Sequence, residues 1–119
     1  MDVFAAIAQP TRRSILEILA EGGQLTASQI SHRFRISAPA ISQHLKVLRE
    51  ARLVRMRKNR QEHIYQINPE TVMQVEAWAR QVTELWNERF DRLDALLKEQ
   101  DSGGPDDRSR KGVNNGNAI

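Results

Sequence analysis

Residues 26–50 read TASQISHRFRISAPAISQHLKVLRE, and this stretch decides the fold. It opens on Thr26 with Gln29 three residues later, a T-x-x-Q capping box, and Leu25 and Ile30 occupy the staple positions on either side. The pattern predicts a helix with Ile30 and Phe34 on one face that stops near Arg35. Ser37 is a good N-cap for a second helix, and Pro39 falls in its first turn, where no backbone donor is lost. Ile41, Leu45 and Leu48 follow at i, i+4 and i+7, which makes one apolar stripe. About three residues separate the two helices, the turn length of a helix-turn-helix.

Upstream, Pro10 suits a first helical position, Ile15, Leu16, Ile18 and Leu19 form a stripe, and Gly22-Gly23 ends it. That predicts a helix over 10–21, preceded by a short helix from Asp2 to Ala8 capped by Asp2. Downstream, Val54 and Met56 alternate with Arg55 and Arg57, and Tyr65 and Ile67 with Gln66. Two strands follow, Leu53–Arg57 and His63–Ile67, joined by Lys58-Asn59-Arg60-Gln61 with Asn59 suited to a left-handed conformation. They form a β-hairpin with a basic tip.

Asn68-Pro69-Glu70 starts a last helix: N-cap, N1 proline, acid in the first turn. It runs to Glu99, roughly 45 Å at 1.5 Å per residue. Its stripe of Val72, Val75, Trp78, Ala79, Val82, Leu85, Trp86, Phe90, Leu93, Leu96 and Leu97 is too long for so small a domain to cover. A second copy of the chain is the expected cover; the alternative is that the stripe folds back over its own domain. From Asp101 onward the Gly-, Ser- and Asn-rich sequence cannot bury a core, so residues 101–119 read as a disordered tail and 1–100 as one domain. The expected fold is mainly α with a small β-hairpin, a winged helix-turn-helix with a long C-terminal dimerisation helix.

The chain has 119 residues and no cysteine, which fits one domain and excludes a disulfide scaffold, a thiolate nucleophile and any Cys-ligated metal. No apolar run approaches the roughly 20 residues of a membrane span. Met1-Asp2-Val3-Phe4 lacks the basic-then-apolar pattern of a signal peptide. A cytoplasmic protein is expected. Net charge is +3, but its distribution is polar. Nine basic residues between Arg33 and Arg60, against the single Glu50, leave that stretch at +8. From Glu70 to Glu99, four basic and seven acidic residues leave −3. Such a basic middle suits a polyanion.

With Ile41, Leu45 and Leu48 turned inward, wheel arithmetic puts Pro39, Gln43, Lys46 and Glu50 most nearly opposite, flanked by Ala40 and Ser42. Gln43 can bond adenine at two atoms, Ser42 a base edge or phosphate, and Pro39 or Ala40 can touch a thymine methyl. Lys46 and Arg49 suit phosphates or a guanine, and Arg57, Lys58 and Arg60 of the hairpin suit the backbone or minor groove. Ser37 at the N-cap and His44 beside the buried stripe complete the candidate DNA-binding set. Double-stranded DNA is the expected partner.

Residues 2–98 resemble the ArsR/SmtB family of winged-helix repressors. The resemblance rests on Ala8-Gln9-Pro10-Thr11-Arg12-Arg13 with Ile15-Leu16, on Ile36 to Arg49, and on Leu53-Val54. It implies a homodimeric repressor on a palindromic operator, with the first and last helices at the dimer interface. Val3, Phe4, Val75, Trp78, Val82, Leu85, Trp86, Phe90 and Leu93 are the residues this selects. Metal-sensing members carry a Cys-x-Cys box where this chain has Thr26 and Ser28, and another family site uses Asp and His on the last helix, which here has no His. His32, His44 and His63 fall on separate elements, so no metal site and no cofactor are expected. Any effector would be an unidentified small molecule near the dimer interface, with Trp78 and Trp86 beside it, although interface packing explains both tryptophans as well.

No phosphate loop, activated nucleophile or placed carboxylate pair is present, so no catalytic residue is assigned and an enzyme is not expected. The competing reading is a winged-helix protein-interaction module without specific DNA binding. Nine basic residues between Arg33 and Arg60 argue against it, as the acidic polar face of the last helix argues against a membrane surface.

Overall fold

Helix starts leave backbone N–H groups without partners, and at four starts in this chain a nearby side chain accepts from one of them. The computed structural model describes residues 2–100, with the elements α1 Val3–Ile7, α2 Pro10–Gly22, β1 Leu25–Thr26, α3 Ala27–Ser31, α4 Ala38–Glu50, β2 Val54–Asn59, β3 Glu62–Ile67 and α5 Pro69–Gln100. Asp2 Oδ2 accepts from Ala5 N at 3.1 Å, and Ser37 Oγ from Ala40 N at 3.2 Å. Thr26 and Gln29 close the reciprocal capping box, at 3.1 and 2.8 Å. Gln9 caps α2 through its Oε1, which accepts from Arg12 N at 2.8 Å. The expected tail at 101–119 lies outside the described residues.

The structure corrects the expectation in three places. First, α3 ends at Ser31 rather than near Arg35, and six residues, His32 to Ser37, lead into α4. The N–H groups of Arg33 and Phe34 bond to the carbonyls of Ile30 and Ser31, tighter i to i+3 bonds that close the helix early. Phe34 still packs on the core from this turn. Second, the hairpin strands run longer, to Asn59 and from Glu62, so two residues turn the chain. Arg60, with φ 61°, takes the left-handed conformation expected of Asn59. Third, the hairpin gains a strand: Leu25 pairs with Tyr65 and Thr26 with Ile64, giving an antiparallel sheet in the order β1-β3-β2.

Chain contacts divide the protein after Arg80 into two units. The first holds a single core, built on Ile15 and Leu19 of α2, Ile30 of α3, Ile41, Leu45 and Leu48 of α4, and Leu53, Val54 and Tyr65 at the sheet. The second continues α5 from Gln81, and its ion pair Lys98–Asp94 spans 3.7 Å at i, i+4. No helix among the described residues is long and apolar enough to cross a membrane.

The end of α4 is a Schellman turn. Leu53 N bonds Leu48 O at 2.9 Å and Arg52 N bonds Arg49 O at 3.0 Å, with Arg52 at φ 64°. Leu48 and Leu53, both buried, make the apolar contact such turns favour. Asn68 holds the turn from outside: its backbone N bonds Leu53 O, and its Nδ2 donates to Arg52 O, each at 2.9 Å. The Asn68 side chain, expected to cap α5 through its oxygen, thus clamps the end of α4. Arg52 carries a Cβ in the left-handed region, a strain glycine does not have. Arg52→Gly should therefore stabilise the fold by about 0.5–1 kcal/mol, read as a higher thermal midpoint. Arg52→Ala keeps the Cβ and should gain nothing; an equal gain would mean that charge, not backbone strain, is relieved.

Candidate nucleic-acid interface

α4 is 13 residues long and buries one side only. Its outer side and β3 face each other across an open groove of about 690 Å³, lined by Ala38, Pro39, Ser42, Gln43, Lys46, Arg49, His63 and Tyr65. Five of the expected DNA-binding residues, Pro39, Ser42, Gln43, Lys46 and Arg49, are thus brought to one surface. Sequence reasoning missed the two from β3. His63 was read only as the start of a strand, and Tyr65 only as part of its apolar side. Tyr65 is buried, which raises its hydroxyl pKa, while the Arg49 cation draws it back. Strand alternation contains the missing signal, because His63 and Tyr65 are two apart and share a face.

The remaining candidates are dispersed. Ser37 is exposed, but its hydroxyl is the α4 cap; Ala40 is half-buried. Lys58 pairs with His63 across the β2–β3 ladder and leaves the sheet on the same face. Arg57 points to the opposite face, where its Nη2 donates to Gln24 Oε1 at 3.1 Å and Gln24 Nε2 donates to Gln66 Oε1 at 2.9 Å. Arg60 sits in the turn itself. The three basic wing residues are therefore separated by the pleat rather than gathered at one tip. Among the described residues no ion pair engages any basic residue between Arg33 and Arg60.

His44 lies away from the groove, half-buried, with Nδ1 3.4 Å from Arg12 Nη1. Burial, and then the Arg12 cation, lower its pKa. Arg12 also donates Nε to Ala6 O at 2.7 Å and Nη2 to Ala5 O at 3.3 Å, and Arg13 Nη1 donates to Ile7 O at 2.9 Å. The two arginines that the sequence shows only as a motif bind the last carbonyls of α1. His32 is exposed and lines a separate cleft of about 330 Å³ between α3 and α4. Among the described residues no group of His, Asp or Glu is placed to hold a metal ion.

Of the residues selected for a dimer interface, Val3 and Val75 are half-buried, and Phe4 meets Trp78 edge-on, ring centroids 4.9 Å apart. Val82, Leu85, Trp86, Phe90 and Leu93 of the second unit are exposed.

Residues 9–56 match the family model described as bacterial regulatory protein, arsR family. The transcriptional repressor SdpR of Bacillus subtilis is 44% identical over 73 residues, 61% of this chain and 79% of that one. The chain belongs to the ArsR family. As a member it is a winged helix-turn-helix transcriptional regulator, with a three-stranded sheet as its wing. An ArsR-like transcriptional regulator from Rhodococcus sp. RHA1 superposes with a TM-score of 0.66 at 26% identity, covering 86% of this chain and 92% of that one. The homodimeric winged helix-turn-helix DNA-binding domain Mb0332 from Mycobacterium bovis gives 0.56 at 27% identity, over 69% and 75% of the two chains.

The His44 environment has a definite sign. An imidazole that binds its proton less readily when folded gives stability that is full above its ordinary pKa of about 6.5. The unfolded chain protonates first, so stability declines as pH falls through that value and levels off once His44 itself is charged. In NMR titration the His44 midpoint should lie below the ordinary value. Arg12→Gln should raise it only part of the way, because burial is the larger cause. A midpoint unmoved by that change would remove Arg12 from the account.

Proposed function

We propose that this ArsR-family protein is a homodimeric repressor that binds a palindromic DNA operator in the cytoplasm. The observation that carries the reading is the convergence of Pro39, Ser42, Gln43, Lys46 and Arg49 on one groove shared with the wing. In this reading α4 lies in the major groove, with Gln43 and Ser42 reading base edges and Pro39 and Ala40 against thymine methyls. Lys46, Arg49, Arg57, Lys58 and Arg60 hold phosphates. The names borne by SdpR, a repressor, and by Mb0332, a homodimeric DNA-binding domain, support it. Residues 1–100 act as one DNA-binding and dimerisation domain, paired through α1 and α5. Two recognition helices then stand one DNA turn apart, roughly 34 Å, which suits a palindrome.

Fluorescence anisotropy of the full chain tests this on DNA from its own upstream region, against a scrambled duplex, across a salt series. Selective binding that weakens steeply with salt is expected; salt-insensitive or equal binding to both duplexes contradicts it. Gln43→Ala should cost on the order of 1–3 kcal/mol and relax specificity at one base position. Lys58→Ala should weaken all sequences alike and lower the salt slope by about 0.9. If the two variants behave alike on every sequence, the division into reader and anchor is wrong.

Pairing is tested separately. Trp86 is 62% exposed on its helix. Trp86→Glu should turn the dimer into a monomer in sedimentation and weaken operator binding by at least about tenfold, because each half-site then binds alone. A dimer of unchanged mass would place the interface elsewhere.

A further inference from the structure

The groove between α4 and the wing has a charge pattern that base reading does not require. Lys46 and Arg49 enter it from α4, and His63 and Tyr65 from β3. Lys58 of β2 stands opposite His63 on the same face of the sheet. No carboxylate is among the lining residues. Glu62, next to His63 in sequence, pairs with Asn59 and leaves from the other face. His63 is therefore an exposed imidazole on the surface that carries Lys46, Arg49 and Lys58, with no carboxylate among the groove's lining residues.

We propose that this groove holds a phosphodiester of the DNA backbone and that His63 binds it as an imidazolium, so that each DNA-bound protomer takes up a proton. The inference rests on the DNA-binding reading above. A phosphate seated among Lys46, Arg49 and Lys58 favours the imidazolium, which donates a charge-assisted hydrogen bond to the anion. Imidazole is the side chain whose charge ordinarily changes between pH 5 and 8, whereas the phosphodiester and the duplex bases keep theirs across that range. Linkage then makes DNA affinity rise as pH falls. The other two histidines are placed differently. His44 abuts Arg12 away from the groove, and His32 lines the cleft between α3 and α4.

The experiment is anisotropy titration of the full chain with the upstream duplex at about pH 6 and about pH 8, at constant ionic strength, together with an NMR titration of the His63 ring. If the proton is shared with a phosphate, binding should be up to about tenfold tighter per protomer at the lower pH, the equivalent of one pKa unit, and up to about a hundredfold for a dimer with both grooves seated. The His63 midpoint should rise by about one unit when duplex is added. His63→Gln should flatten the pH profile to within about twofold, and His32→Gln should leave it steep. A profile that stays steep in His63→Gln, or a His63 midpoint unmoved by bound duplex, overturns the proposal while leaving the DNA-binding reading intact. Failure to bind either duplex at any pH overturns both.

Discussion

Ile41, Leu45 and Leu48 are each no more than 1% exposed, and their burial fixes how far α4 is rotated about its own axis. Turning the helix until that stripe met water would forfeit on the order of 5 kcal/mol, at roughly 1.5–3 kcal/mol for each buried aliphatic side chain. No surface interaction of the outward side chains competes with that. The core therefore decides that Pro39, Ser42, Gln43 and Lys46 face out. The functional surface of this helix is the complement of its packing, and its precision is that of the core.

Rotation alone does not make a groove; the wing must also be set against the helix. The Schellman turn does this at the C-terminal end of α4, where Leu53 is tied back to Leu48 while already leading into β2. Asn68 secures the same turn from the residue that follows β3, so the start of β2 and the end of β3 are fixed at one point. From there the β2–β3 ladder carries the register without interruption from Val54–Ile67 to Asn59–Glu62. The positions of Lys58 and His63 are thus set by the register that Asn68 and Leu53 establish at the base.

The parts of this arrangement that depend on near neighbours were legible in the sequence. Asp2, the Thr26–Gln29 box, Ser37, Pro10 and the Ile41–Leu45–Leu48 stripe all act within one or two helical turns, and each reads as it folds. What escaped was set by distant partners or by residues acting against type. β1 is two residues with no periodicity of its own, made a strand only by Tyr65 and Ile64. Arginine has no preference for positive φ, so neither Arg52 nor Arg60 announces its conformation; the turns around them impose it. Arg12 and Arg13 look like surface charges until the carbonyls of Ala5, Ala6 and Ile7 are found beside them. The division of the wing cations between two faces was within reach, since it follows from alternation, but grouping Arg57, Lys58 and Arg60 by proximity in sequence concealed it.

Charge assigns separate tasks to the two ends of the chain. The +8 of residues 33–60 belongs to the turn between α3 and α4, to α4 and to the wing, whereas α5 has seven acids against four bases between Glu70 and Glu99. Two of those acids are spent on i, i+4 pairs within α5, Glu76 with Arg80 and Asp94 with Lys98, which steady the helix weakly at its exposed surface. The net negative charge of the helix leaves its polar side unfavourable to a polyanion. A duplex attracted by α4 and the wing is therefore repelled by α5, whose exposed apolar side chains remain available to a partner of the same kind. An apolar side such as Val82, Leu85, Trp86 and Leu93 present is costly to leave in water. On the reading proposed above, a second copy bringing an identical stripe would cover it, apolar against apolar. On that reading the basic residues of α4 and the wing and the apolar residues of α5 serve different partners, DNA and a second copy of the chain.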